Sequence, residues 1–156
     1  MKALIVYDSV FGNTQQVAEA IGRTLGEQGE VDVLRAAEAG PEQVSGVELL
    51  VVGSPTRAFR PMPTVSGFVK SIPADALQGV RVAAFDTRLP AETAPAILRF
   101  LVGLFGYAAE PLAKRLEGKG GQPAGPPAGF AVEGTEGPLS EGELRRAEEW
   151  ARQLVT

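Results

Sequence analysis

The run Ala3-Leu-Ile-Val-Tyr7 passes straight into Asp8-Ser-Val-Phe-Gly-Asn-Thr14, and this junction decides the fold. The first part is apolar without alternation, which predicts a strand buried on both faces rather than one with a solvent side. The second part is small and polar. Beyond it Thr14, Val17, Ala18, Ile21 and Leu25 fall at helical spacing, so the polar stretch is predicted to be the turn between a buried strand and a helix, with Gly29 as the stop. A hydroxyl at Ser9, a glycine at 12, an amide at Asn13 and a second hydroxyl at Thr14 then sit at a helix N-terminus. There, N–H groups without intrahelical partners and the helix dipole attract an anion. These donors suit a dianionic phosphate monoester without any Lys or Arg. The same residues also read as an ordinary helix cap with a turn glycine.

The pattern repeats along the chain. Val31–Leu34 alternates and predicts a more exposed strand. Val47–Gly53, Arg81–Phe85 and Phe130–Val132 predict three further strands. Helices are expected over Thr64–Ser71 behind Pro63, over Ala109–Glu117 ended by Gly118, and at the C-terminus. The last has Ser140 as N-cap, Glu143 reaching back as a capping box, and Leu144, Ala147, Ala151 and Leu154 on one face. The Gly/Pro-rich stretch 118–129 is expected to be a loop. Five strands alternating with helices imply an α/β domain with a parallel sheet covered on both faces. The 156 residues suit a single domain spanning 1–156.

Composition removes several chemistries. Cysteine and histidine are absent, which excludes disulfides, thiolate nucleophiles, Cys/His metal sites and His-based triads. The net charge of −4 with no long basic run argues against a nucleic-acid partner. A strand beginning within two residues of Met1 leaves no room for a signal peptide, so a cytoplasmic location is expected. A phosphoryl-receiver site would need an acidic pair after the first strand, an Asp after the third and a Lys after the fifth. Asp8 stands alone, Ser54 follows the third strand, and no Lys follows Val132. A P-loop would need a Gly-Lys-Ser/Thr ending, and a dinucleotide loop more glycines than Gly12.

The segment Ser9-x-Phe11-Gly12-Asn13-Thr14, set between first strand and first helix, resembles the phosphate loop of the flavodoxin family, whose pattern is hydroxyl-x-hydroxyl-Gly-Asn-Thr. The strand–helix alternation extends the resemblance over nearly the whole chain. It implies a three-layer sandwich with a five-stranded parallel sheet in the order 2-1-3-4-5. It also implies FMN as cofactor, held by Ser9, Val10, Phe11, Gly12, Asn13 and Thr14 at the phosphate. Ser54, Pro55, Thr56, Arg57 and Phe59 after the third strand, and Asp86, Thr87 and Arg88 after the fourth, would meet the ribityl chain and ring. Phe11 stands where the family has a hydroxyl, a loss of about 1–2 kcal/mol of phosphate binding. Arg88 and Leu89 stand where many flavodoxins place a stacking Tyr or Trp. With Arg57, Arg60 and Arg88 in the flavin-facing loops, the resemblance predicts a higher potential for the reduced flavin than in acidic flavodoxins.

An electron carrier with an unknown redox partner is favoured over a substrate-specific oxidoreductase, because an enzyme would need a site for a hydride donor and none is legible in the sequence. A quinone-type FMN reductase, or a flavodoxin-like interaction module that has lost FMN, are the alternatives. The apolar segment 94–109, with Arg99 as its one charge, is too short to span a membrane. It reads as a buried lid, a homodimer contact, or an apolar wall beside the flavin.

Overall fold

The computed structural model describes residues 1–57, 60–90, 96–97 and 106–156. Among them the elements run β1 (Lys2–Tyr7), α1 (Asn13–Leu25), β2 (Glu30–Arg35), β3 (Leu49–Pro55), α2 (Pro63–Ser71), β4 (Arg81–Arg88), α3 (Ala109–Gly118), β5 (Gln122–Pro123), β6 (Ala128–Ala131) and α4 (Glu143–Leu154). The sheet order is β2-β1-β3-β4, with β5 and β6 both paired to β4 at the far edge, and these pairings are parallel. The expected α/β architecture and the 2-1-3-4-5 order are therefore observed.

The unbroken apolar strands do what their pattern predicts. Successive side chains of a strand point to opposite faces. Leu4 and Val6 of β1, Leu50 and Val52 of β3, and Val82 and Ala84 of β4 enter one core, with Val65, Phe68 and Val69 of α2 and Leu112 and Leu116 of α3. The alternate residues Ile5, Tyr7, Leu49, Val51, Ala83 and Phe85 enter the other, with Val17, Ile21 and Leu25 of α1 and Ala147, Trp150 and Leu154 of α4. Phe85, Phe130 and Trp150 meet edge to face with centroids 6.0–6.1 Å apart. The Phe85 ring lies directly over Gly53, where an added Cβ would stand 2.0 Å from it. Glycine at 53 is thus needed for close approach.

The far edge departs from the expected single strand. β5 pairs with Arg81 and Val82, and β6 pairs with Phe85 to Arg88. Between them Pro126 and Pro127 have no N–H to offer β4, and the chain bulges outward. The Trp150 Nε1–H anchors the bulge by donating to the Pro126 carbonyl at 3.2 Å. Val132, expected inside the strand, lies just past it in a bridge to Leu139.

The ends of two helices also differ. Helix α1 stops at Leu25 with Gly26 as C-cap, ahead of Gly29. Helix α4 starts at Glu143 with Gly142 as a left-handed N-cap, φ 85°, so the Ser140 capping box does not form. The Ser140 N–H is already given to the Ala131 carbonyl at 2.9 Å. The Glu143 carboxylate instead accepts the Ala131 N–H at 2.6 Å and both Nε and Nη2 of Arg146 at 2.9 and 2.8 Å. Leu144 is exposed, and Trp150 takes part in the buried face with Ala147, Ala151 and Leu154.

The Arg146 hydrogen bond, opposed by burial and helped by the Ala131 N–H, holds the Glu143 carboxyl below its ordinary range. A carboxyl with a depressed folded-state value stabilises the fold above its unfolded value, and that contribution is lost as pH falls through the folded one. Glu143→Gln should therefore lower the urea midpoint at neutral pH, with the gap to the parent closing in acid below the ordinary glutamate range. A gap independent of pH would contradict this pairing.

Candidate functional site

The loops leaving β1, β3, β4 and β6 meet at the carboxyl edge of the sheet, where open α/β folds place their ligands. Between them is a cleft of about 410 Å³. Ser9, Val10, Phe11, Asn13 and Thr14 line it from the first loop, Pro55, Thr56 and Arg57 from the second, Thr87, Arg88 and Leu89 from the third, and Val132 and Thr135 from the fourth.

Helix α1 opens into this cleft without a side-chain cap and with no acidic residue in its first turn. Gln16 is the first α1 residue whose N–H reaches a carbonyl, that of Gly12 at 3.1 Å. The N–H groups of Asn13, Thr14 and Gln15 are left for a ligand or solvent, as at any helix start. Gly12 turns the chain at φ +92°, and a Cβ there would meet nothing within 4 Å. Its glycine is required by the backbone angle alone.

Neighbouring groups hold the loop in shape. The Asp8 carboxylate accepts the Ser9 N–H at 2.7 Å, Arg35 Nη1 at 3.0 Å and the Thr64 hydroxyl at 2.5 Å, tying the loop to β2 and α2. The Gly12 N–H donates to Ser9 Oγ at 3.0 Å. Asn13, expected as an amide donor to the ligand, gives Nδ2 to the Glu136 carbonyl at 3.1 Å. Its side chain packs so closely on Gly137 that a Cβ there would lie 2.6 Å from Oδ1. Asn13 thereby fastens the 134–138 turn to the first loop. Thr14 Oγ1 lies 2.7 Å from Thr87 Oγ1, both residues being buried.

Two of the expected ligand residues stand behind the cleft. The Ser54 hydroxyl, on a fully buried residue, accepts the Met62 N–H and donates to the Pro55 carbonyl, each at 2.8 Å. It braces the second loop. Asp86 is also fully buried, and Arg88 holds it in a two-point pair, Nε to Oδ1 at 2.6 Å and Nη2 to Oδ2 at 2.7 Å. Oδ2 also accepts the Ala109 N–H at 2.9 Å, which fixes the start of α3. The Arg88 guanidinium lies 3.8 Å from the centroid of the Tyr107 ring on one side and against Gly129 on the other, where a Cβ would come within 2.1 Å. Asp86 and Arg88 are two apart on β4 and share a face, as do Phe85 and Thr87 on the opposite one.

Thr56 lines the cleft, donates its N–H to the Thr87 carbonyl at 3.0 Å and accepts the Ala108 N–H on its hydroxyl at 3.0 Å. Arg57 lines the cleft, whereas Arg60, bonded to it through reciprocal backbone hydrogen bonds of 2.8 and 2.9 Å, does not. With Arg88 neutralised by Asp86, the positive charge facing the cleft is smaller than the three arginines suggest. Phe59 and most of the 94–109 segment lie outside the described residues. Leu89, in the expected third loop, joins the lining, as do Val132 and Thr135 beyond the end of β6. Val132 carried no signal, because it read as strand; the stretch 134–138 that follows reads first as a turn, although it leaves the last strand on the ligand edge of the sheet.

Among the described residues no cluster of three or more His, Cys, Asp or Glu side chains could hold a metal, and no helix is long and apolar enough to cross a membrane.

Comparison with known proteins agrees with this architecture. The family model for the flavodoxin domain matches residues 4–122, and the chain belongs to that family. The fold matches oxidised flavodoxin 1 from Bacillus cereus with a TM-score of 0.79 at 16% identity, over 99% of this chain and 97% of that one. A flavodoxin from the domain Archaea matches with a TM-score of 0.75 at 20% identity, over 99% and 96%. Rubredoxin oxygen:oxidoreductase from the anaerobe Desulfovibrio gigas matches with a TM-score of 0.73 at 21% identity, over 98% of this chain and 35% of that one.

Burial pushes the Asp86 carboxyl above its ordinary value, while hydrogen bonding and charge from Arg88 and the Ala109 N–H pull the other way. Removing Arg88 leaves a carboxylate buried without its counter-ion, which destabilises proteins by about 3–5 kcal/mol. Because a raised folded-state value means that protonation favours the folded form, acid relieves that penalty. Arg88→Met should thus show a loss of this size in urea unfolding at neutral pH and a smaller one as pH is lowered. An equal loss at each pH would mean that Asp86 is not the group being orphaned.

Proposed function

We propose that this protein is a flavodoxin-type redox protein that binds FMN in the cleft, with the phosphate at the start of α1. The observation that carries the reading is the uncapped first turn of α1, opening into a cleft whose adjoining groups are neutral donors. A phosphate monoester is a dianion near neutrality, with a second pKa of about 6. The N–H groups of Asn13, Thr14 and Gln15 and the hydroxyls of Ser9 and Thr14 match its acceptor oxygens. No cation is needed, since the helix end supplies the positive field. The nearest acidic side chain in the loop, Asp8, is turned away onto Arg35 and Thr64.

Further along the cleft the polar residue Thr56 suits the ribityl chain and ring edge. Val10, Phe11 and Leu89, 40–48% exposed, make an apolar rim for a flat ring system. When bound, the flavin supplies the one- and two-electron chemistry; the chain binds it, orients it and limits the charge around it. Tyr107 is engaged by Arg88, leaving Phe11 as the aromatic side chain among the described lining residues. Transfer of electrons to a partner protein is the activity this arrangement fits, since the described side chains around the cleft form no acid–base or nucleophilic set.

The test is FMN titration followed by quenching of flavin fluorescence. Binding should be tight at neutral pH and weaken as pH falls below about 6, where the phosphate takes up a proton and offers a cradle of donors one acceptor fewer. Ser9→Ala should weaken it about tenfold or more through loss of one hydrogen bond to a charged group. A chain that stays colourless and does not quench FMN has lost the cofactor and keeps only the fold, as an interaction module would.

A further inference from the structure

Thr14 and Thr87 come from segments far apart in sequence and meet as two buried hydroxyls on the cleft wall, 1% and 5% exposed and 2.7 Å apart. Each hydroxyl carries one proton and can accept as well as donate. The pair shares a single hydrogen bond, and among the described residues neither hydroxyl has another partner. One of the two protons therefore has no acceptor among the described residues, although both side chains line the cleft. Buried donors are paired almost without exception, so the spare proton is left for an acceptor in the cleft, a ligand or solvent.

Two directions are open to the pair. If Thr14 donates to Thr87, the spare proton is on β4. If Thr87 donates to Thr14, the spare proton is on Thr14, in the first turn of α1 beside the open N–H groups. A dianion at the helix end decides between them. A hydroxyl bonded to an ionised oxygen makes a hydrogen bond about twice as strong as a neutral one. Accepting from Thr87 also polarises Thr14 and makes it a better donor.

We propose that Thr87 is a positioning residue for the phosphate: it donates to Thr14 and so commits the Thr14 proton to a phosphate oxygen. The inference rests on the FMN reading above and deepens it. Thr87, which the resemblance places against the ribityl chain and ring, is thereby assigned to the phosphate end. Its influence on the ligand runs through Thr14.

A double-mutant cycle on the full-length chain tests this, with FMN and riboflavin affinities measured by fluorescence quenching. Thr87→Val should weaken FMN about tenfold, and Thr87→Ser should restore most of the loss. In a Thr14→Val background, Thr87→Val should cost FMN nothing further. Riboflavin, which lacks the phosphate, should bind Thr87→Val as it binds the parent. If valine unfolds the chain, Thr87→Ala takes its place in the cycle. Additive losses in the cycle, equal losses for FMN and riboflavin, or unchanged FMN binding by Thr87→Val would each overturn the role of Thr87 while leaving the cofactor assignment standing. A parent chain that binds no FMN would overturn both.

Discussion

A helix that starts without a cap directs its first N–H groups at whatever lies beyond them. In this chain that arrangement is built into the rigid centre of the sheet. Helix α1 follows β1, whose neighbours on both sides are parallel strands and whose faces are both covered. The turn at Gly12 therefore has little freedom to shift. Asp8 holds one side of the loop to β2 and α2, Asn13 holds the other to the 134–138 turn, and Thr14 reaches across to β4. These contacts fix the open amides in one direction before any ligand arrives, and preorganised donors bind at lower entropic cost than mobile ones.

The charges around the cleft are arranged to leave that cradle neutral. Asp8 is matched by Arg35, and Asp86 by Arg88. The second pair also has an architectural part. Asp86 takes the Ala109 N–H at the start of α3, and Arg88 fills the space between Tyr107 and Gly129. A buried ion pair seldom stabilises a fold more than apolar residues would. Here it joins β4 to α3 and offsets the charge of an arginine that lines the cleft. Arg57 is left as the cleft cation without a carboxylate partner among the described residues.

Much of this was legible in the chain. β1, β3 and β4 are apolar without alternation, so their burial on both faces follows from strand geometry, and the loop Ser9–Thr14 announced itself by its donors. The unread features depend on partners distant in sequence. Ser140 and Glu143 have the spacing of a capping box, but Ala131 takes the Ser140 N–H and gives its own to Glu143, which moves the helix start to Glu143. The edge strand splits because its prolines cannot complete a ladder with β4. Ser54, expected at the ligand, accepts the Met62 N–H across the second loop, a contact without a local signal. The Asp86–Arg88 pair did have a local signal, two opposite charges on one face of a strand. The Thr14–Thr87 contact had none.

The central claim is that a neutral helix end, and not an arginine, holds the anionic end of the ligand. A crystal structure of the chain with FMN tests it most directly. The account predicts the phosphate oxygens within hydrogen-bond distance of the amides of Asn13, Thr14 and Gln15 and the hydroxyl of Thr14. A phosphate seated on Arg57 or Arg60, with those amides turned to water or to the protein's own side chains, would contradict it.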